Sequence, residues 1–173
     1  KDININDVRS PDFTYGWAKL SGEYLAHFVN KSSTTKVYIF RPFSGYGEDQ
    51  DLDYPFPSFI KRVKDRVDEF NIWGDGKQVR DFIHMDDIVD ATLEAVNRDI
   101  REPISLGMGR PTSFNDLAEL VFKISNWIPK NGIKHLTSKP VGVMYRCSDN
   151  SKMLSFYTPK LTLEEGIERA LKN

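Results

Sequence analysis

Tyr15 and Lys19 stand four positions apart in the stretch FTYGWAKLSGEYLAHF. On a helix that spacing stacks a phenol and an ammonium one turn apart on a common face. A cation so placed favours the phenolate and draws a tyrosine pKa below its usual value of about 10, the condition for a tyrosine that takes a proton. Chance offers the same spacing in a chain with seven tyrosines and 24 lysines and arginines, and then the two merely share a helix face. Spacing alone leaves both readings open.

Other residues suggest anion binding. Arg80 follows a Gly-Asp-Gly turn, Lys139 precedes Pro-x-Gly, and Lys61 and Arg62 sit in a helix behind a long loop. Arginine can grip a phosphate through two parallel hydrogen bonds, whereas lysine acts as a point charge. Each taken singly also reads as an ordinary surface charge. The run GMGRPT (Gly107 to Thr112) lies between a strand and a helix like a dinucleotide fingerprint, but Thr112 occupies the third glycine position, so a tight turn is expected. Asp49, Asp51 and Asp53 resemble the opening of a calcium loop that lacks its glycine and its closing glutamate, and read as a solvated loop. His27, His84, His135 and Cys147 have no ligand-type spacing, so no metal site is expected. Cys147 beside Arg146 reads as a strand cysteine rather than an activated thiol.

The elements that must position these residues alternate. Trp17, Leu20, Tyr24, Leu25 and Phe28 recur at helical spacing, predicting a helix over Thr14 to Asn30. KVYIF (Lys36 to Phe40) predicts a strand buried on both faces of a parallel sheet. A helix is expected from Pro57 to Val67, and two strands paired as a hairpin about Asp75-Gly76. Asp86 or Asp87 is expected to cap a helix running through Asn97. EPISLG and IKHLTS read as strands. Ser113 with Asp116 and Thr162 with Glu165 form capping boxes for two further helices. The alternation predicts an α/β fold.

Composition excludes other classes. The 173 residues are 39% hydrophobic and 28% charged, with net charge -1, which describes a globular chain. Nothing favours nucleic acid or an anionic membrane, no apolar run is long enough to span a bilayer, and a cytoplasmic location is expected.

Taken in order, the segments YGWAKLSGE, RPFSGYG, WGDGKQVRDFIHMDDIVDA, REPISLGMGRPTSFNDLAEL, SKPVG, SDNSK and LTLEEGI resemble the extended short-chain dehydrogenase/reductase family, the NAD-dependent nucleotide-sugar epimerases and dehydratases. The resemblance implies the C-terminal part of a Rossmann-like NAD(P)-binding fold plus a small α/β substrate-binding domain. Residues 1–53 would end the Rossmann-like part and 54–173 would form mainly the substrate domain, with 79–106 returning to the Rossmann-like sheet. It assigns Tyr15 as general base and Lys19 as its partner, with Tyr15, Lys19 and Pro42 at the cofactor. Ser44, Arg62, Arg80, Lys139 and Arg146 fall at a nucleotide-diphosphate sugar. Ser44 replaces the family's usual Asn, and Lys139 in SKPVG is most like the KPxG of GDP-fucose synthases. GVMYRCSDN looks most like a block of GDP-mannose 3,5-epimerases, although Met144 stands where those carry Arg.

The glycine-rich turn that cradles the NAD pyrophosphate in the family, and the Ser or Thr that precedes its Tyr, do not occur in these residues. NAD or NADP is therefore expected in the intact protein but not on this chain alone, which is expected to be a C-terminal portion without turnover of its own. A homo-oligomer is expected, joined through the Tyr15–Lys19 helix or the edge of KVYIF. The alternative is a non-catalytic sugar-nucleotide-binding module, which would need neither Tyr15 nor Lys19.

Overall fold

The structure, a computed structural model, describes residues 13–173; the polar opening stretch, 1–12, lies outside them. The first helix, α1 (Phe13–Ser32), is longer at both ends than its apolar periodicity predicts. Asn30 then turns the chain back by clamping Val37, accepting from its N–H at 2.9 Å and donating to its carbonyl at 2.8 Å. Two short strands follow, β1 (Phe40–Pro42) and β2 (Ser44–Tyr46), then α2 (Pro55–Lys64), β3 (Phe70–Trp73), β4 (Val79–His84) and α3 (Met85–Asn97). The remainder is β5 (Ile104–Leu106), β6 (Pro111–Ser113), α4 (Phe114–Ser125), β7 (Ile133–Leu136), α5 (Ser151–Leu154) and α6 (Leu163–Lys172). The fold is α/β, as expected. No helix among the described residues is long and apolar enough to cross a membrane.

Strand pairing is mostly parallel. β1 runs beside β5 with Phe40 opposite Ile104, β2 beside β4 with Ser44 opposite Phe82, and β3 beside β7 with Phe70 opposite Ile133. Among the described strands only β6 joins antiparallel, to β4, with Arg80 opposite Thr112. Because side chains alternate along a strand, β4 serves two cores. Phe82 joins Tyr46, Phe56, Phe70, Leu117 and Ile167 in one cluster, while Ile83 joins Ala91, Ala95, Ile104, Leu106 and Met153 in the other.

Four local expectations are corrected. Of KVYIF only Phe40 enters a strand; Lys36 is exposed and Val37 and Tyr38 are half-buried, with Ile39 alone in the interior. Among the described residues β1 has one neighbour, β5, so its other side is open. The strands flanking Asp75-Gly76 do not form a hairpin, since β3 and β4 lie in different sheets. The turn chemistry itself is present: Gly74 and Gly76 both adopt φ of +74°, and Asp75 Oδ1 accepts from Lys77 N at 3.0 Å. Side-chain bonds then carry the chain across, from Gln78 Nε2 to Trp73 O at 2.7 Å and from Asn115 Nδ2 to Asp75 O at 3.1 Å.

The second helix begins at Pro55, not Pro57, and ends at Lys64. Helix α3 is capped by His84, whose Nδ1 accepts from Asp86 N at 3.1 Å, rather than by an aspartate. Asp87 is thereby free to turn inward, where it accepts from Tyr157 Oη at 2.6 Å, Lys160 N at 2.8 Å and Leu161 N at 3.2 Å. Both predicted capping boxes are present, Ser113 with Asp116 and Thr162 with Glu165.

Candidate functional site

Helix α1 presents Tyr15 and Lys19 together: Lys19 Nζ lies 5.4 Å from the centre of the Tyr15 ring. Tyr15 is 64% exposed, so its hydroxyl is accessible. Both residues line a cavity of about 480 Å³ that is completed by Glu23 on the same helix and by Tyr38, Arg41 and Pro42 across from it. Arg41 joins the two sides with a two-pronged pair to Glu23, at 2.8 Å through Nε and 2.5 Å through Nη2. A phenol beside an ammonium at an open cavity is an arrangement able to support proton transfer.

A second cavity, of about 690 Å³, gathers Arg62, Arg80, Trp73, Asn71, Gln78 and Tyr54 among its lining residues. The Arg62 guanidinium carbon lies 4.1 Å from the centre of the Phe70 ring and 4.8 Å from that of Phe59, and Arg62 donates to Asn71 O at 2.5 Å. Burial pulls its pKa down. Arg80 donates to Val79 O at 2.8 Å and Val143 O at 2.7 Å, and stands 5.5 Å from the Phe114 ring. Its pKa is lowered first by burial and then by the neighbouring charge of Arg146. Lys139 does not line this cavity, but its Nζ sits 5.8 Å from the centre of the ring of Trp73, which does.

These cations share an omission. Arg98, Arg101, Arg110 and Arg169 are all paired with carboxylates. Among the described residues, Arg62, Arg80, Lys139 and Arg146 have no carboxylate within ion-pairing distance. A half-buried guanidinium held by carbonyls keeps its charge for another anion. Two buried acceptors in the same lining, Asn71 Oδ1 and Gln78 Oε1, have no hydrogen-bond partner among the described residues either.

The two cavities have no lining residue in common. Ser44, half-buried at the start of β2, lines neither, and exposed Arg146 reaches Arg80 only through its charge. Among the described residues no group of three or more His, Cys, Asp or Glu side chains is placed to hold a metal ion. Burial, then Asp81, pushes the Cys147 thiol pKa up, the opposite of activation.

One residue that holds the site together escaped sequence reasoning. Asp81 is fully buried and accepts from Met108 N at 3.0 Å, Gly109 N at 3.1 Å, Ser148 N at 3.0 Å and Ser148 Oγ at 2.5 Å. It therefore pins the GMGRPT turn and the 146–148 segment to the strand that carries Arg80. A side chain on Gly107 would meet Asp81 Oδ2 at 2.4 Å, which explains the glycine without any dinucleotide. The only sequence signal was its place next to Arg80; its loop partners lie 27 and 67 residues away.

An α/β chain with parallel strand pairs, a Tyr–Lys helix and an arginine-lined cavity defines the class to which the comparisons point. The family model described as the NAD dependent epimerase/dehydratase family matches residues 2–107, more than half of the chain. The chain belongs to that family. GDP-mannose 3,5-epimerase from Arabidopsis thaliana is 31% identical over 170 residues, covering 91% of this chain and 42% of that protein. The UDP-glucuronic acid 4-epimerase of Bacillus cereus, solved with UDP-glucuronic acid and NAD, is 30% identical with TM-score 0.81, covering 98% of this chain and 56% of that one. The dTDP-glucose 4,6-dehydratase of Bacillus anthracis, 20% identical, shares the fold at TM-score 0.84, over 95% of this chain and 53% of that one. The chain spans 42% to 58% of the length of the curated relatives it matches.

Proposed function

We propose that these residues form the Tyr–Lys helix and the nucleotide-sugar-binding part of an NAD-dependent sugar-nucleotide epimerase or dehydratase. The observation that carries the reading is a pair of half-buried arginines, Arg62 and Arg80, that have no carboxylate partner among the described residues and line a cavity of nucleotide size. In this reading Arg80, with Lys139 and Arg146, receives the diphosphate, and Arg62 and Trp73 bound the nucleoside end. Ser44 hydrogen-bonds the sugar. Tyr15 takes the proton from a sugar hydroxyl, and Lys19 favours the phenolate that forms. Lys19 also binds a nicotinamide ribose, with Pro42 at the edge of the same cavity. A nicotinamide cofactor, NAD or NADP, supplies the hydride acceptor when bound. The phenol, ammonium and open volume beside Tyr15 fit that role.

Residues 1–53 belong with the Rossmann-like part and 54–173 mainly with the substrate part in this reading, with 79–106 returning to the Rossmann-like sheet. The parallel pairings of β1 with β5 and of β2 with β4 support that return. The 173 residues alone do not hold NAD, because no glycine-rich pyrophosphate cradle is among them. The exposed aromatic face of α1 is where a second copy packs.

Calorimetric titration of the chain with GDP, UDP and their sugar conjugates tests the proposal. Binding is expected, and Arg80→Ala is expected to weaken it about 10- to 150-fold, the loss of a charged hydrogen bond of ~1.5–3 kcal/mol. The loss should be alike for conjugates that differ only in the sugar. An unchanged dissociation constant would make Arg80 a surface residue and remove the support for the reading.

A further inference from the structure

Glu23 lies one helical turn beyond Lys19 on α1, the spacing at which a carboxylate and an ammonium pair. A free carboxylate there would neutralise Lys19 and add a negative charge near Tyr15, and both effects favour the neutral phenol. Instead, Lys19 stands over the Tyr15 ring at 5.4 Å, and both oxygens of Glu23 are taken by Arg41, at 2.8 and 2.5 Å. Glu23 is the more shielded partner, its side chain 19% exposed against 42% for Arg41. A two-pronged guanidinium–carboxylate pair leaves little attraction for a second cation. The remaining titratable group facing this cavity, Tyr38, donates its hydroxyl to Asp99 at 2.7 Å, and Asp99 is itself held by Lys36 and Arg101. Among the described residues Glu23 is thus the sole carboxylate in the lining.

We propose that Arg41 is a positioning residue for the Tyr15–Lys19 pair: by occupying Glu23 it keeps the Lys19 ammonium uncommitted and directed to the phenol. The proposal rests on the reading of Tyr15 and Lys19 as the proton-transferring pair. Arg41 contributes no atom to the reaction; it acts through Glu23, a residue that would otherwise hold Lys19 away.

The test is the titration of Tyr15 in the 173-residue chain, followed by NMR with isotope-labelled tyrosine, its signal identified by loss in Tyr15→Phe. Arg41→Ala is expected to raise the Tyr15 midpoint above that of the parent chain, because Glu23 then competes for Lys19 and its negative charge is no longer offset. Arg41→Lys, which keeps the charge but only one prong, is expected to give a smaller rise and serves if the alanine variant does not fold. Adding Glu23→Gln to the alanine variant is expected to restore the parent midpoint, and adding it to the lysine variant to abolish the rise. A midpoint unmoved by both Arg41 variants overturns the proposal. So does a rise that Glu23→Gln fails to restore, which would make Arg41 a strut between α1 and β1 and nothing more. Lys19→Met separates this from the underlying reading: a midpoint indifferent to Lys19 sinks the pair itself. A midpoint that rises in Lys19→Met yet ignores Arg41 sinks only the role given to Arg41.

Discussion

Replacing Asp81 should be among the most damaging single changes in this molecule. Its carboxylate is fully buried and receives five hydrogen bonds, from Met108 N, Gly109 N, Arg110 N, Ser148 N and Ser148 Oγ. Asp81→Ala leaves four backbone N–H groups and a hydroxyl facing an apolar methyl. A buried donor left unsatisfied costs about 1–3 kcal/mol. Water can enter the space vacated and the hydroxyl can rotate, so the sum is not reached. We expect a loss of about 3–5 kcal/mol, a large share of the roughly 5–15 kcal/mol that holds a domain together. Asp81→Asn is nearly isosteric but places an NH₂ where an acceptor was needed. Whichever way the amide is turned, it confronts either Met108 N or the Gly109 and Ser148 donors, and about 2–4 kcal/mol should be lost. Urea unfolding followed by tryptophan fluorescence measures both. A loss below about 1 kcal/mol for the alanine variant would show that the carboxylate does not anchor these loops, and the account of how Arg80 and the 146–148 segment are held would have to be abandoned.

Three further outcomes are expected. Gly166→Ala should destabilise by about 2–3 kcal/mol in the same assay, although alanine is the better helix former, because its Cβ would stand 2.1 Å from Tyr46 Oη and Tyr46 is itself stacked 4.1 Å from Phe56; equal stability would show that Tyr46 can move aside. In a longer protein that joins this chain to a glycine-rich NAD-binding half, Tyr15→Phe should lower turnover by about a hundredfold or more with little change in substrate affinity, and normal turnover would refute the general-base assignment. Light scattering across a concentration series should show self-association of the chain, since Trp17, Tyr24, Leu25 and Phe28 on α1 are all more than half exposed; a monomer at every concentration would count against α1 as the surface that packs on a second copy.

What the sequence made legible was local chemistry. The two capping boxes lie within four residues each, and the Tyr15–Lys19 proximity follows from a helix's own period, so both could be read without knowing the fold. The glycine turn at Asp75-Gly76 was legible as a turn but not as a connection. Its strands choose partners by distant contacts, β3 finding β7 some 63 residues later, where Phe70 faces Ile133. KVYIF read as a central strand because apolar runs in parallel sheets are usually covered on both sides, whereas among the described residues its one strand residue, Phe40, has β5 alone as a neighbour and side-chain bonds such as Tyr38 to Asp99 hold the rest. His84 displaced the expected aspartate cap because an imidazole nitrogen at that position is an equally good acceptor. The loss of that task released Asp87 for the interior. The arginines were visible as residue types, but their lack of carboxylate partners, which gives them meaning, exists only in three dimensions.

The alternation along β4 reaches beyond its geometry. A strand with Phe82 in one core and Ile83 in the other leaves neither core a surface of its own along which to come apart. Cooperative units follow shared interior rather than sequence boundaries, so the proposed division of the chain into two parts by residue number should have no counterpart in its melting. Heating is expected to give one calorimetric transition, with no intermediate in which the arginine-lined half stays folded alone. A ligand that grips Arg80 would then protect amide hydrogens around Ile104 and Leu106 as well. The molecule would report binding in one half through the quietness of the other.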